Sequence, residues 1–378
     1  MRDAQELYKR IEELSETIER QKDVLRSLER QRSDAQGELN AILDPMARLP
    51  LEISSDILLE SLLSTRSMKS STVLLGVCRR WSEIALATPS LWTHICNNGL
   101  PNRFRGLVEM WLPRSQDYPL VLSLHGMDLA PFTDLIHGMG DHARRIQNLQ
   151  LVQPGMGFHK SLECAPETPL IPLPWLQSLS VEGPAKEMEF SVNSWYYVLR
   201  SLPNLVSGGF KGSILGGNQS CEIPSSLQHL YLGEPTEWDR ASGALRQLTL
   251  PSLRTLHISI SYEPQRCVSH LREFLIRSSP PLRSLYLGLP LGRMSTPALF
   301  RILSEADILP ELAYLGVRAW PWIVEDGADP ILEVLRDRRP TLRSFHLAID
   351  QRWPDYEALE HQFIESFRTL ADGGIIVR

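Results

Sequence analysis

One spacing constrains this chain more than any other feature: an apolar residue, two residues of any kind, an apolar residue, one of any kind, and a third apolar residue. It recurs as Ile146/Leu149/Leu151, Leu176/Leu179/Val181, Leu227/Leu230/Leu232, Leu253/Leu256/Ile258, Leu282/Leu285/Leu287, Leu312/Leu315/Val317 and Leu342/Phe345/Leu347. Successive first positions lie 30, 51, 26, 29, 30 and 30 residues apart, so the step of 51 holds two units, with a degenerate one near Leu205 and Phe210. Leu122 and Leu124 mark an earlier strand. The last two apolar positions of each unit alternate along a short strand and fall on one face of it. Helical apolar spacing fills the intervals at 193–200, 268–277, 297–306, 330–337 and 356–370. Pro224, Pro251, Pro280-Pro281, Pro310 and Pro340 mark where the helices stop. A unit of this size cannot cover its own apolar face and must stack on its neighbours. The expected class is α/β, with short parallel strands alternating with helices. A doubly wound sheet is the competing architecture, but it needs no recurring Pro-x-Leu-x-x-Leu-x-Leu register. A final amphipathic helix and Ile375-Ile376-Val377 are expected to cap the open end.

The N-terminal part obeys a different period. Leu7, Ile11, Leu14, Ile18, Gln21, Leu25, Leu28, Arg32, Ala35, Leu39 and Ile42 follow steps of four and three, the seam of a coiled coil. Charged residues such as Glu12, Glu16, Arg20, Lys22, Glu29 and Arg30 fill the rest. The expectation is a homodimer through residues 7–42. Gln21 and Arg32 in the seam and Gly37 near its end leave a second reading, a single helix that folds when something packs on it.

Between these lies a short helical stretch. Leu49-Pro50 opens it, Ile53, Ile57, Leu58 and Leu62 follow at helical spacing, Cys78-Arg79-Arg80-Trp81 anchors a second helix, and Leu91-Trp92 closes it. So short a piece cannot bury that much apolar surface by itself, and needs a partner or a following domain. Pro50 suits a first helical turn and Glu52 the positive end of the helix dipole. Trp81 is expected inside the module, and Cys78 as a small buried hydrophobe instead of a nucleophile.

Leu49-Pro50-x-Glu52-Ile53, the apolar run to Leu63, Val77-Cys78-x-x-Trp81-x-x-Ile84-Ala85 and Leu91-Trp92 resemble an F-box. The resemblance implies a three-helix unit that docks on the Skp-type adaptor of cullin-RING ubiquitin ligases. Carried onto this sequence, the docking residues are Leu49, Pro50, Ile53, Ile57, Leu58, Val77, Cys78 and Trp81. The coil ending in Leu43-Asp44-Pro45-Met46-Ala47-Arg48, and Trp111-Leu112-x-Arg114-Ser115 running into Pro119-Leu120-x-Leu122-x-Leu124, resemble F-box proteins of the type expanded in mushroom-forming (agaricomycete) fungi. The pattern departs at Leu58, where most members carry Phe, and at Ser54-Ser55, where a Leu is often found; both changes thin the expected docking surface.

The repeats in turn resemble leucine-rich repeats, with units longer and less regular than the shortest class. On such a strand the residue between the last two apolar positions points to the concave side of the solenoid. Here those residues are Gln150, Ser180, Tyr231, His257, Tyr286, Gly316 and His346. Tyr231, His257, Tyr286 and His346 are the candidate target-binding residues, because aromatic and amphipathic side chains are enriched where proteins bind proteins. Plain solvated strand surface is the alternative.

Composition bounds the chemistry. The chain has 378 residues, 43% of them hydrophobic, enough for real cores, and its formal charge of −6 argues against a nucleic-acid partner. Its cysteines, at 78, 96, 164, 221 and 267, are odd in number and never form Cys-x-x-Cys, so neither a disulfide framework nor a zinc site is indicated. The charged start and the lack of a run of about eighteen apolar residues argue against secretion and membrane insertion. Asn218-Gln219-Ser220 is a sequon in pattern only. Gly-x-Ser-x-Gly, Walker and His-Glu-x-x-His motifs are absent. The glycine-rich Gly208-Gly209-Phe210-Lys211-Gly212-Ser213 and Gly216-Gly217 read as a loose loop, and His137 and His142, read as sharing a helix, are too far apart to chelate on one face.

The expected organisation is a coiled-coil helix (1–44), a small all-α F-box-like module (45–98) and a leucine-rich-repeat domain with a C-terminal cap (99–378). The expected function is substrate recruitment for a Skp-cullin-F-box type ubiquitin ligase in the cytoplasm or nucleus, with no catalytic site, cofactor or metal of its own. Its partners would be the Skp-type subunit and a target protein. The alternative is a scaffold without ligase function, dimerised by the N-terminal coil.

Overall fold

A computed structural model of the chain describes residues 2–64, 71–97, 101–127, 129–152, 173, 175–182, 189–191, 199, 202–211, 213–215, 221–222, 226–233, 245–259, 264–288, 296–305, 307–319, 329–338, 340–349 and 376–377. The fold is mixed α/β: a long N-terminal helix, a helical region, then parallel strands with helices. The chain divides into two compact units, Met1–Thr93 with Pro113–Gln116, and His94–Leu112 with Asp117–Arg378.

In the first unit, α1 (Arg2–Leu43) is a single uninterrupted helix. Its sequence is rich in good helix formers, and exposed pairs one turn apart, Lys22–Glu19 and Arg26–Asp23 at 2.8 Å, add a little. It ends at Asp44 because the residue before a proline is pushed out of helical geometry. Asp44 then caps the 3₁₀ turn Pro45–Arg48, its Oδ1 accepting from the Met46 N–H at 2.9 Å. The Pro50 carbonyl accepts the first bond of α2 (Leu51–Ser64) from the Ser54 N–H at 3.0 Å. A 3₁₀ segment (Ser71–Gly76) leads to α3 (Arg79–Ala87), and a last 3₁₀ turn (Pro89–Trp92) closes the module. Leu58, Ile84, Ala85, Leu91 and Trp92 form its interior, none more than 2% exposed. The Trp92 indole N–H donates to the Ala85 carbonyl at 2.7 Å, and the Arg114 guanidinium lies 5.4 Å above the Trp92 ring.

The second unit is built on an 11-stranded parallel sheet whose strand order follows the chain from end to end. Its strands are β1 (His94–Cys96), β2 (Leu120–His125), β3 (Ile146–Val152), β4 (Ser178–Glu182), β5 (Ser207–Lys211), β6 (His229–Leu232), β7 (Thr255–Ser259), β8 (Ser284–Gly288), β9 (Tyr314–Ala319), β10 (Ser344–Ile349) and β11 (Ile376–Val377). A doubly wound sheet reverses its order at a switch point; this one never does. Helices α4 (Pro101–Arg114), α5 (Leu129–Met139), α6 (Pro264–Ser278), α7 (Thr296–Ser304) and α8 (Asp329–Asp337) lie between strands in the chain. The last three match the helical spacing read at 268–277, 297–306 and 330–337. The helices read at 193–200 and 356–370 lie outside the described residues, apart from Leu199, as do Cys164, the 218–220 sequon, Gly216-Gly217 and Ile375.

The repeat holds atom by atom. The Gln177 carbonyl accepts from the N–H groups of Val206 (2.8 Å) and Ser207 (2.9 Å), and the carbonyls of Val206, Gln228, Arg254, Arg283 and Ala313 each accept two N–H groups of the next unit in the same way. Six consecutive strands, β5 to β10, are thus each entered through one shared carbonyl, which sets the register of the next. The step of 51 residues does contain a further unit: β5 pairs with β4 on one side and β6 on the other. Gly208-Gly209 is therefore strand and not a loose loop. Gly208 stands where other units carry leucine, its missing side chain compensated by Leu227, Leu205 and Leu230 around it. Two more expectations are corrected. His94–Cys96 is the first strand of the sheet and not part of an all-helical module, because buried Ile95 pairs with Leu122. His137 and His142 sit in different elements, α5 and the 3₁₀ segment Gly140–Arg145.

Arginines staple neighbouring units together. Arg338, 2% exposed at the end of α8, donates Nε–H to the Leu303 carbonyl and an Nη1–H to the Leu309 carbonyl, both at 2.6 Å, and also bonds the Glu305 carbonyl. Arg277, at the end of α6, reaches the Leu245 and Leu248 carbonyls at 2.5 and 2.7 Å. The guanidinium bonds of Arg338 add to backbone donors that the Leu309 and Glu305 carbonyls already have, the Leu312 N–H at 3.3 Å and the Ile308 N–H at 3.2 Å.

Candidate functional site

In the helical module, Ile53 and Ile57 stand one turn apart on α2 and are 48% and 45% exposed, with Val77 (50%) and Val73 (55%) also in the open. Leu49 is half-buried and Pro50 exposed. Leu58, the next residue after Ile57, turns the other way and is 1% exposed, so it belongs to the module's interior. Ser54 and Ser55 also serve the inside. Ser54 is fully buried, its hydroxyl 3.4 Å from the Met46 carbonyl, and the Ser55 and Thr88 hydroxyls are 2.8 Å apart.

Cys78 and Trp81 form a joint that the sequence reading missed. Cys78 is not a buried hydrophobe: it is half-exposed and caps α3, its Sγ accepting from the Trp81 N–H at 3.5 Å. Its thiol also donates to Asp44 Oδ2 at 3.7 Å, and the half-buried Trp81 donates its indole N–H to the same oxygen at 3.1 Å. Asp44 thus ends α1, caps the turn after it and holds the start of α3. A Leu-Asp-Pro stop followed, after thirty-odd residues, by Cys-x-x-Trp was the only signal available.

The second site lies on the sheet face opposite the buried leucines. Tyr231 pairs in register with His257, His257 with Tyr286, Tyr286 with Gly316, and Gly316 with His346. The first three, from consecutive units, stack: ring centroids are 4.4 Å apart for Tyr231 and His257, and 3.7 Å for His257 and Tyr286. Tyr314 extends the ladder, 5.0 Å from Tyr286 and hydrogen-bonded to it. Tyr314 escaped the sequence reading because it precedes, in its unit, the position read as facing outward. Among the described residues no ring stacks on His346, since Gly316 leaves a gap before it and Tyr286 leans into that gap.

The middle row of this face carries no charge, although Glu182 and the exposed Arg318 lie on the same face two residues beyond Ser180 and Gly316. Gln150, Ser180, Gly209, Tyr231, His257, Tyr286, Gly316 and His346, one from each of eight adjacent strands, include no carboxylate, amine or guanidinium. Burial pushes the His257 imidazole down to about 4, so it is neutral at physiological pH. Burial and the hydrogen bond to Tyr314 push the Tyr286 phenol up to about 12. A neutral aromatic ladder, with Tyr231 39% exposed, suits contact with apolar and aromatic groups. Among the described residues no group of His, Cys, Asp and Glu could hold a metal ion, and no helix is long and apolar enough to cross a membrane.

No curated protein matches the chain. Residues 46–98, which display Ile53, Ile57 and Val77, match the model of the F-box-like family and form an F-box-like domain.

Proposed function

We propose that this chain is a substrate-recruiting adaptor of a Skp-cullin-F-box type ubiquitin ligase, working inside the cell. The F-box-like domain would bind the Skp-type subunit through Leu49, Pro50, Ile53, Ile57 and Val77, with Leu58, Cys78 and Trp81 holding that surface in shape. The observation that carries the reading is the apolar set Ile53, Ile57 and Val77, left in solvent on a segment that matches the F-box-like family. F-box domains are typically adaptors and not catalysts, so ubiquitin transfer falls to partner subunits, and the chain contributes proximity. The parallel sheet is read as a leucine-rich-repeat solenoid whose aromatic ladder, Tyr231, His257, Tyr286 and Tyr314, with His346 beyond it, contacts the target protein. Its neutrality favours a target segment carrying apolar and aromatic side chains.

The test is co-purification of the full chain with a Skp-type adaptor from a mushroom-forming fungus. An Ile53→Ala/Ile57→Ala/Val77→Ala variant removes only exposed side chains, so it should stay folded and lose at least about tenfold in affinity. A folded wild type that does not bind would make the non-ligase scaffold the better reading.

A further inference from the structure

Among the described residues nothing covers the seam of α1: Leu7, Ile11, Leu14, Ile18, Leu25, Leu28, Leu39 and Ile42 are all between 48% and 66% exposed. We propose that α1 pairs with α1 of a second copy of this chain in antiparallel orientation, in one specific register.

Seam position and charge decide the orientation. In the heptad frame, Ile11, Ile18, Leu25, Arg32 and Leu39 occupy one seam position (a), and Leu7, Leu14, Gln21, Leu28, Ala35 and Ile42 the other (d). In a parallel pair each residue faces its own copy. Arg32 would then meet Arg32 inside the seam, and Gln21 would meet Gln21. The flanking positions would bring Lys22 against Thr17 and Glu29 against Val24, with no opposite charges opposed anywhere along the helix.

An antiparallel pair sets each a against a d. With Leu25 of one copy against Leu28 of the other at the dyad, Gln21 falls opposite Arg32, Ile18 opposite Ala35 and Leu14 opposite Leu39. At the outermost layer Ile11 meets Ile42. Every apolar seam residue in this span then faces an apolar one, and the two polar intrusions face each other, where the Gln21 amide oxygen can accept from the guanidinium. The same register sets Lys22 against Glu29 twice by symmetry, and the exposed Tyr8 beside the exposed Leu43. Among the described residues Lys22 pairs with Glu19, in an exposed contact one turn away. Such contacts are worth little, so Lys22 is available to Glu29 of the second copy.

The consequence is geometric. In an antiparallel pair the two Leu43 residues, and the F-box-like domains that follow them, stand at opposite ends of the coil, about 50 Å apart at 1.5 Å per residue. A dimer would therefore hold two adaptor-binding surfaces well separated. The pairing does not depend on the adaptor reading and is tested without it.

The experiment is sedimentation analysis of the full chain at micromolar concentration, with Lys22→Glu and Glu29→Lys variants alone and mixed. The wild type is expected to be a dimer. Each variant opposes like charges at both symmetric contacts and should dimerise about tenfold or more weakly. An equimolar mixture of the two restores complementary charges at both contacts and should return dimer as a heterodimer. In a parallel coil residues 22 and 29 are not partners, so the mixture would recover nothing, and the proposal fails. A monomeric wild type, or a dimer indifferent to both substitutions, would equally overturn it.

Discussion

Tyr286 and Gly316 fit together as ring and bare backbone: a methyl group placed on Gly316 would come within 2.4 Å of Tyr286 Cδ1. The two are in register on adjacent strands, and the ring occupies the space that any other residue at 316 would fill. That arrangement keeps the ladder closed at Tyr314. Gly316→Ala should therefore push Tyr286 aside and cost about 1–3 kcal/mol, as overpacking does. Urea unfolding checks this, and adding Tyr286→Ala should recover most of the loss caused by Gly316→Ala. Equal, additive losses would show that the ring and the glycine are not coupled.

His257 predicts a pH dependence. Its pKa is lowered by burial from an ordinary 6.5 to about 4, so between those values the unfolded chain binds a proton that the folded chain does not. The contribution is complete above pH 6.5 and is lost as pH falls toward 4. His94, also lowered by burial, acts in the same direction. Stability measured at stepwise lower pH should fall less steeply in His257→Gln than in the wild type, and a ring titration followed by NMR should place His257 well below 6.5. A midpoint near 6.5 would contradict the packing described for the stack.

Ile57 and Leu58 are neighbours with opposite duties. Leu58→Ala removes a side chain that is 1% exposed and should cost about 2–5 kcal/mol, whereas Ile57→Ala, at 45% exposed, should stay within about 1 kcal/mol. Thermal unfolding of the two variants side by side is sufficient. Similar losses would mean that Ile57 is a packing residue and not a docking one.

Asp44 gathers three donors, from Met46, Cys78 and Trp81. Asp44→Ala leaves the indole N–H and the capped turn without an acceptor, at a cost of about 1–3 kcal/mol. Asp44→Asn, which keeps one acceptor oxygen, should cost less. Denaturant unfolding would separate the two, and an Asn variant as damaging as Ala would point to the charge and not to the hydrogen bonds.

Arg338→Met should cost about 1–3 kcal/mol, because the bonds of one buried guanidinium to three carbonyls are lost together, although the Leu309 and Glu305 carbonyls keep their backbone donors. Lysine is no substitute, since one ammonium cannot reproduce the spread of a guanidinium fork. If Arg338→Lys unfolded at the wild-type urea concentration, the staple would have to be carried by charge alone.

Much of this architecture was legible because it is periodic. The Leu-x-x-Leu-x-Leu spacing located β3, β4 and β6 to β10 and their buried residues, and the interval of 51 residues announced β5 even though Gly208 replaces the leucine there. The neighbouring of Tyr231, His257 and Tyr286 followed from the same register. What escaped was aperiodic: the short strand His94–Cys96, the cap made by Cys78, and the inward turn of Ser54 and Ser55.

The sequence by itself determined the stacking of units and which side chains enter the core, because burial follows the two-residue alternation of a strand and the apolar stripe of a helix. Only the tertiary structure decided what isolated polar groups do. Asp44 meets Trp81 and Arg338 meets Leu303 across more than thirty residues of sequence. A buried hydrogen bond depends on the place and direction of one atom, which no spacing along the chain encodes.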